Sequence, residues 1–230
     1  GTVWAWGDNG DAQLGNGITD ECITPTGVQN LADVMTVAAG SNHTAAVASD
    51  GAAWTWGNNL YGQLGDGTTT DKAAPVQVEG MADVIGIAAG AYHTVALKSD
   101  GTVWAWGFNF FGQLGDGTKT DSLQPVQVAG LSDVMEIAAG AYHTAALKND
   151  GTVWAWGSNS FGQLGDGTKT DRLQPVQVAG LSNVIQVAAG SDHTLAVKGD
   201  GTAWSWGLNF LGQLGNGNQT DSALPLQVTG

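Results

Sequence analysis

Ser99-Asp100-Gly101-Thr102-Val103-Trp104-Ala105-Trp106-Gly107 is the stretch whose reading decides the fold. Its Asp-Gly pair predicts the tight reversal of a β-hairpin, because glycine and aspartate tolerate the positive φ that such turns require. Beyond the turn, alternation with a period of two puts Trp104 and Trp106 on one face of a strand and Val103 and Ala105 on the other. Before the turn, His93 to Lys98 reads as the partner strand, and the β-branched run from Val84 to Ala89 as a strand before that. A fourth strand is expected at Pro125-Val126-Gln127-Val128, with the proline at its start, where a missing amide hydrogen does least harm. Helical periodicity appears nowhere.

The same reading applies all along the chain. Trp-x-Trp-Gly begins at Trp4, Trp54, Trp104, Trp154 and Trp204, fifty residues apart each time, and these copies hold all 10 tryptophans. Hairpin turns recur at Asp50-Gly51, Asp150-Gly151 and Asp200-Gly201. A fixed period of this size marks units that cannot bury their apolar faces alone and must stack on neighbours. Four short strands per unit in meander order describe a propeller blade. The fold class is therefore all-β, a β-propeller spanning residues 1–230, with four complete blades and a half blade that opens on a third strand. A ring of this size needs a whole number of blades. The arc is expected to be part of a larger propeller, or to be completed by another chain or copy, with a compact five-bladed closure as the alternative.

Composition narrows the partners. With 21 acidic residues against 7 Lys+Arg, the formal net charge is −14, which argues against a nucleic-acid backbone or an anionic membrane as partner. Cys22 is alone, so it forms no intrachain disulfide, and neighbouring Glu21 works against an activated thiol. No apolar run reaches membrane-spanning length, and Gly1 stands in the middle of a repeat rather than at a signal peptide.

Gly151-Thr152-Val153-Trp154-Ala155-Trp156-Gly157, Gly162-Gln163-Leu164-Gly165-Asp166-Gly167-Thr168 and the Gly-x-x-His-Thr strings at Gly40, Gly90, Gly140 and Gly190 resemble the regulator-of-chromosome-condensation repeat family over essentially the whole chain. One copy departs from the pattern, at Ala12, where the others have Gly62, Gly112, Gly162 and Gly212. The resemblance implies a β-propeller, usually of seven blades, acting as a rigid platform for partners. At this repeat length seven blades would need roughly 350 residues. Family members include the exchange factor for a small nuclear GTPase and bacterial inhibitors of β-lactamase. The near-perfect period resembles bacterial versions of the family, extracellular or at the cell surface. A light-sensing role known in the family relies on Gly-Trp-Arg-His-Thr strings, and the strings here lack that tryptophan.

No motif of this chain predicts catalysis, a metal or a cofactor. His43, His93, His143 and His193 occupy one place per blade, too far apart around a ring to form a dyad or a shared metal site, and read as structural groups bonding neighbouring backbone. Gly65-Asp66-Gly67-Thr68 and its copies lack the dense alternation of oxygen ligands in a calcium loop and read as turns. The tryptophans are expected to fill the space between neighbouring sheets.

Two loop spots vary most between the copies. After Trp-Gly they read Asp8-Asn9-Gly10-Asp11, Asn58-Asn59-Leu60-Tyr61, Phe108-Asn109-Phe110-Phe111, Ser158-Asn159-Ser160-Phe161 and Leu208-Asn209-Phe210-Leu211; before histidine they read Ser41-Asn42, Ala91-Tyr92, Ala141-Tyr142 and Ser191-Asp192. In an antiparallel meander both loops leave the sheet on the same side, opposite the Asp-Gly hairpins. Leu60, Tyr61, Tyr92, Phe108, Phe110, Phe111, Tyr142, Phe161, Leu208, Phe210 and Leu211 are the candidate partner-binding residues on that side. Tyr61, Phe111, Phe161 and Leu211, last in their sets, are the ones most prone to tuck beneath the loops. The expected function is a non-enzymatic, protein-binding scaffold. A lectin-like carbohydrate-binding propeller and an inhibitor or exchange-factor-like regulator are the alternatives.

Overall fold

The computed structural model describes residues 1–229, and these contain strands and turns but no helix. Strands β1 (Trp4–Gly7) and β2 (Cys22–Gly27) form a two-stranded half blade. The first full blade comprises β3 (Val34–Ala39), β4 (His43–Ala48), β5 (Ala53–Gly57) and β6 (Lys72–Gln77). The second holds β7 (Val84–Ala89), β8 (His93–Lys98), β9 (Val103–Gly107) and β10 (Ser122–Gln127). The third holds β11 (Val134–Ala139), β12 (His143–Lys148), β13 (Val153–Gly157) and β14 (Arg172–Gln177). The fourth holds β15 (Val184–Ala189), β16 (His193–Lys198), β17 (Ala203–Gly207) and β18 (Ser222–Gln227). Each full blade is an antiparallel meander, and from the second blade on its first strand packs against the preceding full blade, as β7 does on β3 and β4.

The alternation in the third strands builds the core. Trp104 and Trp106 face the preceding blade, where Trp106 is fully buried among Ala45, Val47, Ala53, Val78 and Met81. Val103 and Ala105, on the opposite face, meet the next blade's Trp156. One apolar cluster thus fills each space between sheets, and replacing Trp106 by alanine would cost about 3–5 kcal/mol. The two flanks of the arc are open. Trp4 and Trp6, equivalent to Trp104 and Trp106, are 59% and 61% exposed, and Ala203, equivalent to the buried Val103, is exposed on the other flank. The described residues therefore do not adopt the compact five-bladed closure.

One local expectation needs correction. Pro125 does not open the last strand: β10 begins at Ser122, and Pro125 lies within it, inside the irregularity between the pairs Ser122↔Gly107 and Val126↔Ala105. Proline is tolerated there because β10 is the outermost strand and the bulge relaxes the ladder. The hairpin turns span three residues, Ser99-Asp100-Gly101 in the second blade, where the amide of Lys98 donates to Thr102 O at 3.0 Å and that of Gly101 to Lys98 O at 2.9 Å. Only glycine takes positive φ, +78° at Gly101, while the Asp100 carboxylate accepts the Thr102 amide.

Candidate functional site

Each long loop between third and fourth strands is organised from within by its fixed asparagine. Asn109 is fully buried; its Nδ2 donates to the carbonyls of Thr118 and Thr120 and to Asp116 Oδ1, and its Oδ1 accepts the Leu114 amide. Asp121 Oδ1 in turn accepts the Asn109 amide at 2.7 Å. Asp66, the equivalent of Asp116, accepts from Thr68 and Asn59. The acidic strings thus serve as turn and cap groups, and the rigid loop leaves the residues on either side of the asparagine free to vary.

The two variable spots are joined by hydrogen bonds in every full blade. Asn58, Phe108, Ser158 and Leu208 each donate an amide, at 2.9 Å, to the carbonyl of Asn42, Tyr92, Tyr142 and Asp192 respectively. A third residue, from the loop of the preceding blade, completes a junction. In the first junction Asp11 accepts from the side-chain amides of Asn42 and Asn58. In the second, Tyr61 packs on Tyr92 and Phe108, with ring centroids 5.3 and 4.8 Å away. In the third, Phe111 packs on Tyr142 at 5.4 Å. The fourth places Phe161, Asp192 and Leu208 at the same positions.

Six of the eleven candidate residues therefore form one cluster across two junctions: Tyr61, Tyr92, Phe108, Phe110, Phe111 and Tyr142. Phe108 lies 6.1 Å from Tyr142, and Phe110 meets Phe111 edge-on at 5.0 Å. Phe110 stands proud, 58% exposed, with Lys119 Nζ 5.7 Å from its ring centroid, whereas the other five are half-buried. Burial pushes the Tyr142 phenol up, helped by Tyr92, Asp192 and Tyr61 nearby. Leu60, Phe161, Leu208, Phe210 and Leu211 join no part of this ring-to-ring cluster. Tyr61, Phe111 and Phe161 are half-buried, as expected for the last of each set, but Leu211 is 80% exposed because no following sheet covers the fourth blade. Beside Tyr92 and Tyr142 the first strands end in an open depression of about 300 Å³, floored by Gly40, Gly90, Gly140 and Gly190.

The cluster displaces a hydrogen bond. In three copies the glutamine five residues after Trp-Gly's successor is tied back to it: Gln13 Nε2 donates to Asp8 at 2.9 Å, Gln63 to Asn58 at 2.7 Å and Gln163 to Ser158 at 3.4 Å. Phe108 occupies that position in the second blade and offers no acceptor, so Gln113 Nε2 is buried without a partner. Sequence reasoning missed this group. Its signal was the apolar residue five positions before a glutamine whose counterparts have polar partners.

Three of the four histidines bond across blades rather than to neighbouring backbone. His43, His93 and His143 place Nε2 at 2.9, 3.1 and 2.9 Å from Oγ1 of Thr94, Thr144 and Thr194 in the next blade. Each of those threonines donates its hydroxyl hydrogen to the carbonyl of Gln63, Gln113 or Gln163. The hydroxyl oxygen must then accept from the imidazole, so the proton sits on Nε2 and Nδ1 carries the lone pair. Burial lowers the pKa to about 4 for His43 and about 3 for His93 and His143, which keeps the rings neutral.

A family model, the RCC1-like domain, matches residues 1–229. Among solved structures, human WBSCR16 is similar over 99% of this chain at 26% identity, with a TM-score of 0.89, and the match covers 62% of that chain. Yeast RCC1 (Prp20), in a crystal structure with Kap60, is similar over 100% of this chain at 25% identity, with a TM-score of 0.88 and 57% of that chain covered. Prp20p from Saccharomyces cerevisiae, described together with its binding to Gsp1p and histones, gives a TM-score of 0.86 at 25% identity, covering 100% of this chain and 59% of that one. The chain spans about three fifths of the length of these relatives.

Proposed function

The chain belongs to the RCC1-like domain family, and from that premise we propose that residues 1–230 form a non-enzymatic scaffold that binds a protein partner through the face bearing the variable loops. The observation that carries this reading is Gln113. A buried amide without a partner costs about 1–3 kcal/mol, and the aspartate, asparagine or serine that three other copies have at the same position would remove that cost. Phe108 brings instead a bridge between the aromatic groups of two junctions, ending in the exposed ring of Phe110. Aromatic side chains held on a rigid frame lose little freedom on binding and serve as anchors for a protein surface.

The relatives support the same class of function. Yeast RCC1 was crystallised bound to Kap60, and Prp20p binds Gsp1p and histones. An exchange-factor-like or inhibitory role is a finer form of this proposal. A sugar-binding propeller would repeat one set of polar and aromatic groups in each blade, whereas the junctions here run from Asp11–Asn42–Asn58 to Tyr61–Tyr92–Phe108.

Photo-crosslinking tests the reading. With p-benzoylphenylalanine at position 110, extracts of the source cells should yield a discrete cross-linked protein that is absent when the probe stands at position 102, on the opposite face. Equal cross-linking from both positions, or none from position 110, would contradict it.

A further inference from the structure

The partner's chemistry can be argued from what borders the aromatic cluster, an inference that rests on the loop-face reading above. At the variable positions of all the loops the only charged residues are acidic: Asp8 and Asp11 on one side of the cluster and Asp192 on the other. Asp11 takes part in the junction next to the one built by Tyr61, and the Ala141 amide donates to Ser191 O at 2.9 Å, which sets the segment carrying Asp192 against the one carrying Tyr142. The Asp192 carboxylate has no hydrogen bond or ion pair among the described residues. Most cations of this face are already engaged, Lys72 with Asp66, Arg172 with Asp166 and Lys169 with Asp221, while Lys119 lies over Phe110.

We infer that the loop face recognises a basic protein segment, one that sets an apolar side chain against Phe108 and Phe110 and carries lysine or arginine on either side, facing Asp11 and Asp192. Apolar contact anchors such a segment, and the flanking charges select it, since an acidic surface would bring like charges together. The depression floored by small residues beside Tyr92 and Tyr142 gives the segment room to approach.

The test uses the whole chain and three fluorescein-labelled peptides of twelve residues, each with a central tryptophan flanked by lysine, serine or glutamate, read by fluorescence anisotropy. At low salt the lysine peptide should bind about tenfold tighter than the serine peptide and the glutamate peptide weakest, with the spread shrinking as salt is added. Asp192→Asn should remove much of the lysine advantage, whereas Asp100→Asn with Asp150→Asn, on the opposite face, should leave it intact. Phe110→Ser should weaken all three peptides. Equal affinity of the three peptides, or equal loss of the lysine advantage in the two sets of aspartate variants, would overturn the inference and leave the aromatic face standing. No effect of Phe110→Ser, or no binding of the lysine peptide at millimolar concentration, would overturn both.

Discussion

The Nε2 atom of His93 lies 3.1 Å from Oγ1 of Thr144, fifty-one residues further on and in the next blade. Gly90 sits so close beneath the imidazole that a Cβ there would fall 2.2 Å from His93 Cε1, while the Thr144 hydroxyl donates a hydrogen bond to Gln113 O at 3.0 Å. Trp156 Nε1 donates to the same carbonyl at 2.9 Å. Glycine, histidine, threonine, glutamine and tryptophan of the repeat are thus parts of a single inter-blade clasp. The rigidity of the loop face follows from it.

The clasp makes stability depend on pH. The native imidazoles have pKa values of about 4 and 3, against an ordinary value of 6.5, so below pH 6.5 the unfolded chain binds more protons. Their stabilisation is complete above pH 6.5 and falls as the pH drops toward the native values. Between pH 6.5 and 5, where most carboxylates stay ionised, urea unfolding should lose about 2 kcal/mol for each buried imidazole. A flat profile over that window would contradict the neutral, buried assignment.

Thr144→Val keeps the shape of the side chain but removes both the acceptor for His93 and the donor to Gln113 O. Unfolding free energy should fall by about 1–3 kcal/mol, and the ring-nitrogen shifts of His93 should lose the signature of a hydrogen-bonded Nε2–H. Unchanged stability would mean that the bond is incidental.

Two glycines separate close approach from backbone conformation. At Gly140 an added Cβ would lie 2.1 Å from His143 Cε1 and 2.6 Å from Gly190 O, so Gly140→Ala must shift both blades. At Gly130 nothing lies within 4 Å, and only its φ of +66° opposes a side chain. Gly130→Ala should cost about 1 kcal/mol, and Gly140→Ala clearly more, as measured by thermal unfolding.

Ala12 holds a φ of 62° at the position where the other four copies have glycine. Ala12→Gly should raise stability by about 1 kcal/mol, because the left-handed conformation strains an alanine. A lowered melting temperature would count against strain at that turn.

What the sequence made legible follows from how local each signal is. The alternation in Val103-Trp104-Ala105-Trp106 and the turn at Asp100-Gly101 are settled within a few residues, and the structure has the strands, the meander and the shared side of the two variable loops as read. Pro125 was misjudged because a bulge admits proline to the interior of an outer strand, and nothing in the residues around it announces the bulge. The partner of His93 was out of reach for another reason: Thr144 belongs to a different repeat, and only the stacking of blades brings them together. Such irregularities also hid Met35, Ile85, Met135 and Ile185, which follow the first pair of each first strand, where the register shifts, and are 50–59% exposed. The candidate binding residues were found by type and loop, but whether they touch depends on which junction each one enters.

Phe108→Asn set beside Phe108→Ala tests the central claim most directly, because both remove the ring and only the first copies Asn58 into the second blade. An acceptor five residues before Gln113 should satisfy its buried Nε2, so Phe108→Asn should keep about 1 kcal/mol more unfolding free energy than Phe108→Ala. Both variants should lose the protein captured through the position-110 crosslinker. A more stable asparagine variant with capture lost in both is the result this account predicts; capture equal to that of the unaltered chain would contradict it.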